Sequence, residues 1–410
     1  MKKTLLALTL ILSSFLAKAQ CDGTRFFNYV FSNVDLTSNV QYGTNTKYDG
    51  TSQNLLMDIY EPIGDNEAMR PLIIVAHGGF FLSGSKTGAD VVPICQAFAK
   101  MGYVAVSLEY RLGINIQSDL SAPMTEAVMR GVQDGKAAVR YFRKSAAEDG
   151  NPYRINPDQI FFAGSSAGGY IALHMAYLDT DAEIPTYVNL SNPGLDGGLE
   201  GNSGNAGYSS SVNAIVNICG AIGDTAWIQP GDEPCLLFHG TNDQTVPFGS
   251  AMQYAFGVAP VVEVDGSNSI NEKLNQVGVE HCFEIYEGQD HVPHMTNTFY
   301  LDTTLSIMSN FIGHYVCNQP LDCSYRTLSV GVNELLAHEA LTLFPNPAVT
   351  YFQINAAQVQ RILIYNVQGQ LVEQSLNENR VDISTLPDGM YFVKVESNQL
   401  VKVLPLVIKH

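Results

Sequence analysis

The sequence has little charge, few basic residues and one tryptophan. Charged residues make up 15% of its 410 positions and hydrophobic residues 46%, which excludes a disordered or collagen-like chain. The 22 lysines and arginines are outnumbered by 40 aspartates and glutamates, giving a net charge of −18. Because such a surface repels phosphate backbones, we expect no nucleic-acid partner. At roughly 100–200 residues per domain, the length allows two or three domains.

No run after the amino terminus is long and apolar enough to span a membrane. Two lysines precede the apolar stretch 5–16, and a small-x-small site, 17–19, follows it, as in signal peptides. The apolar stretch is shorter than the roughly 20 residues of a spanning helix. We therefore predict a signal peptide at 1–19, a mature chain beginning at Gln20 and no transmembrane segment. A lipoprotein signal ending at Cys21 is the disfavoured alternative.

The seven cysteines show no CxxC motif and no Cys/His spacing typical of zinc sites. Export places them in an oxidising compartment, where disulfides form. Cys317 with Cys323, or Cys219 with Cys235, could form a bridge, although the sequence does not fix the connectivity. An odd number leaves at least one thiol free unless it pairs between chains.

From residue 55 to about 316, short apolar runs alternate with amphipathic helical patterns. A helix is predicted over 125–148, with Lys136, Arg140, Arg143 and Lys144 toward solvent. Near-continuous apolar runs are typical of parallel strands buried on both faces, and they occur at 72–76, 103–107, 159–163, 214–218, 235–239 and 282–286. The pattern predicts an α/β fold, a mostly parallel central sheet with helices on both faces. Ligands of such sheets bind beyond the carboxyl ends of the strands.

The stretch 191–207 is rich in glycine and poor in apolar residues. It is interpreted as a flexible surface loop at the amino edge of the sheet, opposite the reaction site, with a lid as the alternative.

The sharpest local motif is Gly164-Ser165-Ser166-Ala167-Gly168, between a predicted strand and a predicted helix. Glycines two positions before and after the central serine permit the tight turn that exposes its hydroxyl. The helix amino terminus behind the turn favours developing negative charge. Ser166 is therefore the candidate nucleophile; the alternative is a glycine-rich packing turn.

A serine hydroxyl needs a base, and the base needs a carboxylate that holds its tautomer. Asp243 and His291 each follow a predicted strand and come in the expected order after the serine. His294 is the rival base. Asp290, adjacent to His291, would have difficulty reaching that ring.

Other histidines are assigned structural roles. His239 is expected to satisfy a buried hydrogen bond, and His174 to pack behind the serine turn. A metal site formed by His291 and His294 with Asp290 is disfavoured, because the loop is broken by proline instead of forming a helix face. The chemistry predicted here requires no metal and no cofactor.

Acyl transfer also needs donors for the oxyanion. His77-Gly78-Gly79-Phe80 directly follows a predicted strand, and glycine lets backbone amides approach a substrate. The predicted donors are the amides of Gly79 and Phe80, together with that of Ala167 after the nucleophile. Trp227 follows another strand at the same edge and is predicted to wall the substrate pocket.

These motifs resemble the α/β-hydrolase superfamily, specifically the carboxylesterase branch similar to hormone-sensitive lipase and feruloyl-esterase-like enzymes. The resemblance covers about 50–315 and includes 54–60, 105–111 and 134–142. The sequence departs from the branch in two places: Phe80 stands where a third glycine is usual, and Ser165 where aspartate is common. The first departure could narrow the acyl side of the pocket.

The carboxyl-terminal residues 343–410 change pattern to short alternating strands broken by turns. We predict a small all-β sandwich there. The opening 343–348, the late strand 388–395 and the basic-ended tail 404–410 resemble the type A sorting domain of the type IX secretion system. The resemblance implies passage across the outer membrane, then release or surface attachment.

The sequence thus predicts a signal peptide at 1–19, a catalytic domain at 20–317, a linker at 318–342 and a sorting domain at 343–410. The predicted activity is that of a secreted or surface-attached serine esterase. Its expected substrate is a small ester or an ester-decorated polysaccharide, for example one that carries acetyl or feruloyl groups. The rivals are a lipase or polyesterase, a peptidase of the same fold, and a non-catalytic binding protein on a hydrolase scaffold.

Overall fold

The computed structural model describes most of the chain in two compact units, 1–332 and 333–410. The described residues are 21–255, 257–329, 342–355, 359–367, 370–376, 378–396 and 401–410. The predicted signal peptide and the second half of the predicted linker lie outside these residues.

The first unit contains the predicted parallel sheet, extended by two antiparallel strands at one edge. Eight strands form it: β1 (Val34–Thr46), β2 (Ser52–Pro62), β3 (Arg70–Ala76), β4 (Val104–Leu108), β5 (Ile155–Ser165), β6 (Ala214–Ile218), β8 (Cys235–Gly240) and β11 (His281–Tyr286). Their order is β1-β2-β4-β3-β5-β6-β8-β11, and the last six are mutually parallel. These six match the predicted apolar runs, which confirms the fold class. The pairing of β1 with β2, and of β2 with β4, is antiparallel.

A small antiparallel sheet stands beside the main one. It is built in the order β7-β10-β9 from β7 (Ala221–Ile222), β9 (Ser250–Ala255) and β10 (Ala259–Gly266). Neither this sheet nor the pair β1 and β2 was predicted. Most side chains of β1 are exposed, so the strand lacks the apolar run by which the buried strands were recognised.

Helices cover both faces of the main sheet. They are α1 (Val92–Met101), α2 (Ser121–Glu148), α3 (Ala167–Tyr177), α4 (Ser267–Val277), α5 (Pro293–Thr296) and α6 (Thr298–Cys317). Apolar residues of α2, α3 and α4 share one core cluster, and those of α1 and α6 share a second. Among the described residues, no helix is long and apolar enough to cross a membrane.

The cationic side of α2 corrects a prediction. Lys136 and Arg140 were expected toward solvent, but both are buried, and both contact the carboxylate of Glu200. An amphipathic pattern cannot reveal this, because it does not show which segment of chain lies over the polar face of a helix.

That segment is the glycine-rich stretch 191–207, which was predicted wrongly as a flexible loop at the amino edge. Leu195 and Ser203 are fully buried. Gln133 of α2 donates to the carbonyl of Gly198, and Arg140 donates to that of Gly204. Because α2 begins at the carboxyl edge of the sheet, the stretch 191–207 starts at that edge and runs along the helix. Only its second half therefore lies toward the amino edge, where the whole stretch was predicted.

The disulfides also differ from the expected pairs. Cys21 bonds to Cys317 and Cys282 bonds to Cys323, so neither Cys317–Cys323 nor Cys219–Cys235 forms. The free thiols among the described residues are Cys95, Cys219 and Cys235, all buried. The bonded partners are brought together by the packing of α6 and β11, which spacing along the sequence does not show.

We expect the double substitution Cys21→Ser/Cys317→Ser to lower the free energy of unfolding of the first unit by about 3–5 kcal/mol. This bridge spans a sequence separation of 296 residues, against 41 for Cys282–Cys323. Cys282→Ser/Cys323→Ser should therefore cost about 1–2 kcal/mol less than the first pair. Non-reducing thermal melts of the three proteins measure the difference. A first double variant that melts like the wild type would contradict the expectation.

Part of the predicted linker belongs to the first unit. Arg326 donates to the side chains of Asn28 and Asn310, and its carbonyl accepts from Ser306. With the Cys282–Cys323 bond, these contacts fix 321–329 to α6 and to the start of the unit.

The second unit is all β, as predicted. One sheet has the order β12-β13-β16 and the other β15-β14-β17-β18. Their strands are β12 (Leu343–Phe344), β13 (Tyr351–Ile354), β14 (Arg361–Asn366), β15 (Leu371–Leu376), β16 (Arg380–Asp382), β17 (Gly389–Glu396) and β18 (Val401–Ile408). Side chains from both sheets share one apolar cluster, including Phe352, Ile364 and Val393.

Candidate active site

Ser166 occupies the sharp turn between β5 and α3. Its backbone has φ 52° and ψ −113°, a strained conformation for a residue with a side chain. A Cβ at Gly164 would lie 2.0 Å from the carbonyl of Gly168, and one at Gly168 would lie 2.0 Å from the carbonyl of Ala76. The turn can therefore close only with glycine at both positions. The N–H of Ser166 donates to the carbonyl of Ile218 at 2.7 Å, which ties the turn to β6.

The structure brings together Ser166, His291 and Asp243, the predicted nucleophile, base and carboxylate, which we call the relay. The Oγ of Ser166 lies 2.8 Å from Nε2 of His291, and Nδ1 of His291 lies 2.7 Å from Oδ2 of Asp243. The three residues follow β5, β11 and β8, whose carboxyl ends meet at one edge of the sheet. The Asp243 side chain is fully buried, whereas that of His291 is 16% exposed.

Asp243 is held as a carboxylate. Burial raises its pKa, but hydrogen bonds from His239 and His291, the attraction of the His291 ring and the amide of Val246 outweigh burial, and the pKa lies well below its usual range. Its Oδ1 accepts the amides of Thr245 and Val246, each at 2.8 Å, and its Oδ2 faces His291. The two oxygens thus have separate partners, which fixes the plane of the carboxylate.

Within the described residues, the hydroxyl of Ser166 hydrogen-bonds to none of the other candidate residues. Nε2 of His239 lies 3.3 Å from Oδ2 of Asp243 instead. His239 is buried, as predicted, and its Nδ1 lies 2.8 Å from the hydroxyl of Ser267. Asp290 accepts hydrogen bonds from the amides of Gln244 and His291. It therefore connects the loop after β8 to the loop after β11 and takes no part in the relay. His294 is buried at the start of α5, and burial lowers its pKa to about 4. The imidazole that reaches Ser166 is that of His291.

The predicted oxyanion loop follows β3 and lies against the serine turn. A Cβ at Gly78 would lie 3.2 Å from Cβ of Ser166. Gly79 and Phe80 both have positive φ, 118° and 57°. The amide of Gly78 donates to Oδ2 of Asp90 at 2.6 Å, so this amide already has an acceptor. The predicted oxyanion donors are the two amides that follow it, those of Gly79 and Phe80. Asp90 had no sequence signal, because it lies 12 residues away in a turn of its own.

Ala167 is the first residue of α3. The first amides of a helix have no partner within the helix, and the helix dipole is positive at this end. Its position beside Ser166 is the one expected of the third oxyanion donor.

A cavity of about 410 Å³ opens on these residues. Its wall includes Ser166, Ala167, Phe80 and the predicted pocket residue Trp227, whereas Gly79 does not line it. Most of the lining is apolar or aromatic. The cavity can therefore hold an organic group next to the serine.

Part of the cavity wall was not predicted. Leu178, Pro185 and Tyr187, on the segment after α3, line it, as do Val261 and Val264 of β10. The sequence offered little signal for these two parts of the wall. The segment after α3 adjoins the stretch 191–207, which was wrongly placed at the amino edge, and β10 belongs to the small sheet that was not predicted. His174 was expected only to pack behind the turn, yet it also lines the cavity.

One group among the described residues has the donor atoms for a metal ion. Cys219, Asp243 and His291 have ligand atoms within 4.8 Å of one another. Two of the three already bond to each other at 2.7 Å, and burial raises the pKa of the Cys219 thiol to about 12. The set therefore fits the proton relay better than a resident metal, which would need the thiolate.

Two family models match the chain. Residues 57–226 match BD-FAE, an esterase family of the α/β-hydrolase fold, and residues 342–409 match the secretion system C-terminal sorting domain. Both resemblances drawn from the sequence are thereby confirmed. The BD-FAE match contains the serine turn and the predicted oxyanion loop, and it ends before Asp243 and His291.

Curated relatives match parts of the chain. It is 33% identical over 143 residues to "Carboxylesterase NlhH" of Mycobacterium tuberculosis, which is 34% of this chain and 39% of that protein. It is 32% identical over 149 residues to "Carboxylesterase 3B" of Mus musculus, with 34% of this chain and 24% of that protein covered. The matches thus span well under half the length of these relatives. Among solved structures, propionate-bound Est2 of Thermogutta terrifontis matches with a TM-score of 0.48 and 24% identity, covering 69% of this chain and 94% of that chain.

Proposed function

We propose that this chain, which carries a BD-FAE domain of the α/β-hydrolase fold and a secretion sorting domain, is an exported serine esterase. The observation that carries the proposal is the unbroken relay from Ser166 Oγ through His291 to Asp243, with contacts of 2.8 and 2.7 Å. This relay gives a serine hydroxyl the base that it needs to attack a carbonyl carbon.

In the first half of the proposed reaction, Ser166 Oγ attacks the ester carbonyl while its proton passes to Nε2 of His291. Asp243 accepts the hydrogen bond from Nδ1, so it holds the ring in the tautomer whose Nε2 is free to accept. Its low pKa keeps Asp243 anionic, and the anion stabilises the imidazolium that forms. His291 then returns the proton to the leaving alcohol, and the acyl group stays on Ser166.

Negative charge develops on the former carbonyl oxygen during this attack. The amides of Gly79, Phe80 and Ala167 are the proposed donors to it, and the amino terminus of α3 adds its positive dipole end. Asp90 holds the amide of Gly78 at 2.6 Å and so fixes the loop from which two of these donors come.

In the second half, His291 takes a proton from water, the resulting nucleophile attacks the acyl-enzyme, and the carboxylic acid leaves as Ser166 regains its proton. Nucleophile, base and oxyanion donors all come from the chain, so this chemistry calls for no cofactor or metal.

The cavity favours an ester with a bulky organic group. About 410 Å³ of largely apolar space is far more than an acetyl group fills, and Phe80, Tyr170 and Trp227 offer aromatic surface to a flat acyl chain. Of the two decorations expected from the sequence, the volume and aromatic lining of the cavity support feruloyl over acetyl. Export and the sorting domain support a polymer outside the cell as the carrier of such esters.

The test is covalent labelling followed by a substrate panel. We expect a fluorophosphonate to add one phosphonyl group to the purified protein, and peptide mass spectrometry to find it on Ser166. Methyl esters of aromatic acids should then be cleaved with a kcat/KM at least about 10-fold above that of the acetate ester, since apolar contacts of this size are worth 1–3 kcal/mol. Absence of labelling, with no ester hydrolysed, would favour the non-catalytic binding protein.

A further inference from the structure

One histidine lines the cavity away from the relay. His174 lies on α3, eight positions after Ser166, and its ring is part of the cavity wall. At 1.5 Å per residue, the two Cα atoms are separated by roughly 12 Å along the helix axis. An organic group attached to a carbonyl at Ser166 can therefore extend along α3 and meet His174 at its far end.

The tautomer of His174 follows from its backbone contact. Nδ1 lies 2.7 Å from the carbonyl oxygen of Tyr170, and a carbonyl can only accept, so Nδ1 carries the proton. Burial lowers the pKa of the ring to about 4, against the opposing effect of that hydrogen bond, so the ring is neutral at neutral pH. Nε2 is then a hydrogen-bond acceptor.

Nε2 has no hydrogen-bond partner in the described part of the chain. The ring is held by Tyr170, stacked at 6.2 Å, and by the edge of Trp227 at 5.6 Å. Gly223 lies next to both rings: a Cβ there would lie 3.6 Å from Nε2, an ordinary contact, but only 2.7 Å from the Trp227 ring, which would have to move.

The other polar side chains of the cavity wall, apart from the relay serine and the Trp227 indole, which can only donate, have at least one partner within the protein. The hydroxyl of Tyr170 donates to Gln253, and that of Thr125 donates to Ser121. The remaining contacts are those of Tyr187 with Thr125, Gln253 with Thr245, Glu183 with the amides of Asp179 and Thr180, and Asp224 with the amide of Ala226. Glu183 and Asp224 each keep one carboxylate oxygen without such a bond, but Glu183 is half-buried and Asp224 is exposed. His174 Nε2 is therefore a buried acceptor on this wall that a ligand can satisfy.

We propose that His174 Nε2 accepts a hydrogen bond from a hydroxyl on the substrate's acyl group, which makes His174 a specificity-determining residue for esters of hydroxylated acids. This inference rests on the proposed esterase function. An apolar cavity by itself discriminates weakly against a missing hydroxyl. A buried acceptor that is left unpaired penalises the analogue that lacks the donor.

The decisive measurement is a ratio within matched ester pairs. We expect the wild type to cleave methyl 3-(4-hydroxyphenyl)propanoate with a kcat/KM about 10–100-fold above that of methyl 3-phenylpropanoate. The 4-methoxy ester, which offers no donor, should behave like the unsubstituted one. A wild-type ratio near one, or a methoxy ester as good as the hydroxy ester, would overturn the inference.

Two variants locate the effect. His174→Phe removes the acceptor and should bring the hydroxy preference to within about 2-fold. Gly223→Ala should reduce the preference, because its Cβ would displace the Trp227 ring that packs against His174. His281→Asn is the matched control, since that ring bonds to Val279 and Asn271 on another part of the surface and should leave the preference intact. A His174→Phe enzyme that keeps the wild-type preference would refute the proposal.

The ratio also separates the two proposals. Both esters present the same carbonyl to Ser166, so a fault in the relay or in folding lowers both rates and leaves their ratio unchanged. If the wild type hydrolyses neither ester and resists fluorophosphonate, the esterase function itself fails. If both esters are hydrolysed equally, only the role of His174 fails.

Discussion

Ser166→Ala is expected to lower kcat for ester hydrolysis by about 10⁴–10⁶, the scale of loss when a relay nucleophile is removed. The substitution deletes the Oγ that lies 2.8 Å from His291 Nε2 and leaves the oxyanion loop in place. KM should change little, because the cavity is otherwise intact. Steady-state kinetics on an aromatic methyl ester measure both values, and labelling by fluorophosphonate should disappear.

Ser165, the residue before Ser166, supplies the matched control. Ser165 is buried and its Oγ has no hydrogen-bond partner within the described residues, so Ser165→Ala removes a hydroxyl of the same kind one position away. We expect this variant to retain activity within a few-fold of the wild type. Near-normal hydrolysis by Ser166→Ala, or an equal loss in both variants, would mean that Ser166 is not the nucleophile.

Asp243→Asn is expected to lower kcat by about 10⁴ through the tautomer of His291. Because Oδ1 of Asp243 accepts two backbone amides, an asparagine would keep its oxygen there and place its NH₂ group toward His291 Nδ1. Nδ1 would then have to accept, so the ring proton would move to Nε2. A protonated Nε2 cannot take the proton of Ser166.

The control for this variant is Asp290, a carboxylate on the loop after β11 that accepts the amide of Gln244, the residue next to Asp243. Asp290→Asn leaves the His291 ring untouched and retains an oxygen for the two amides that Asp290 accepts. We expect a change of less than about 10-fold, as for a surface substitution that keeps its hydrogen bonds. A loss in Asp290→Asn as large as that in Asp243→Asn would show that loop geometry, and not the ring tautomer, controls the rate.

The parts of the site that could be predicted are those with a local signature. The serine turn needs glycine at 164 and 168, because a Cβ at either position would clash with the backbone. Asp243 and His291 each come shortly after an apolar strand. Strand ends of a parallel sheet share one edge, so the order along the chain was enough to bring these side chains to the same place. The relay distances of 2.8 and 2.7 Å agree with that placement.

The cavity wall could not be predicted in the same way. Pro185 and Tyr187 reach the cavity because the segment after α3 lies along α2, where buried Lys136 and Arg140 meet Glu200. Those contacts join residues that are 64 and 60 positions apart. The disulfide partners were missed for the same reason, since their pairing depends on how α6 and β11 pack.

The sequence by itself determined which hydroxyl, imidazole and carboxylate follow the strands of the sheet, and that a β-rich sorting domain comes after them. These features depend on backbone sterics and apolar periodicity, which act over a few neighbouring residues. Only the tertiary structure decided the shape of the cavity, the open nitrogen of His174 and the cysteine pairs. Each depends on which distant surfaces come into contact, and side-chain packing sets that across the whole unit.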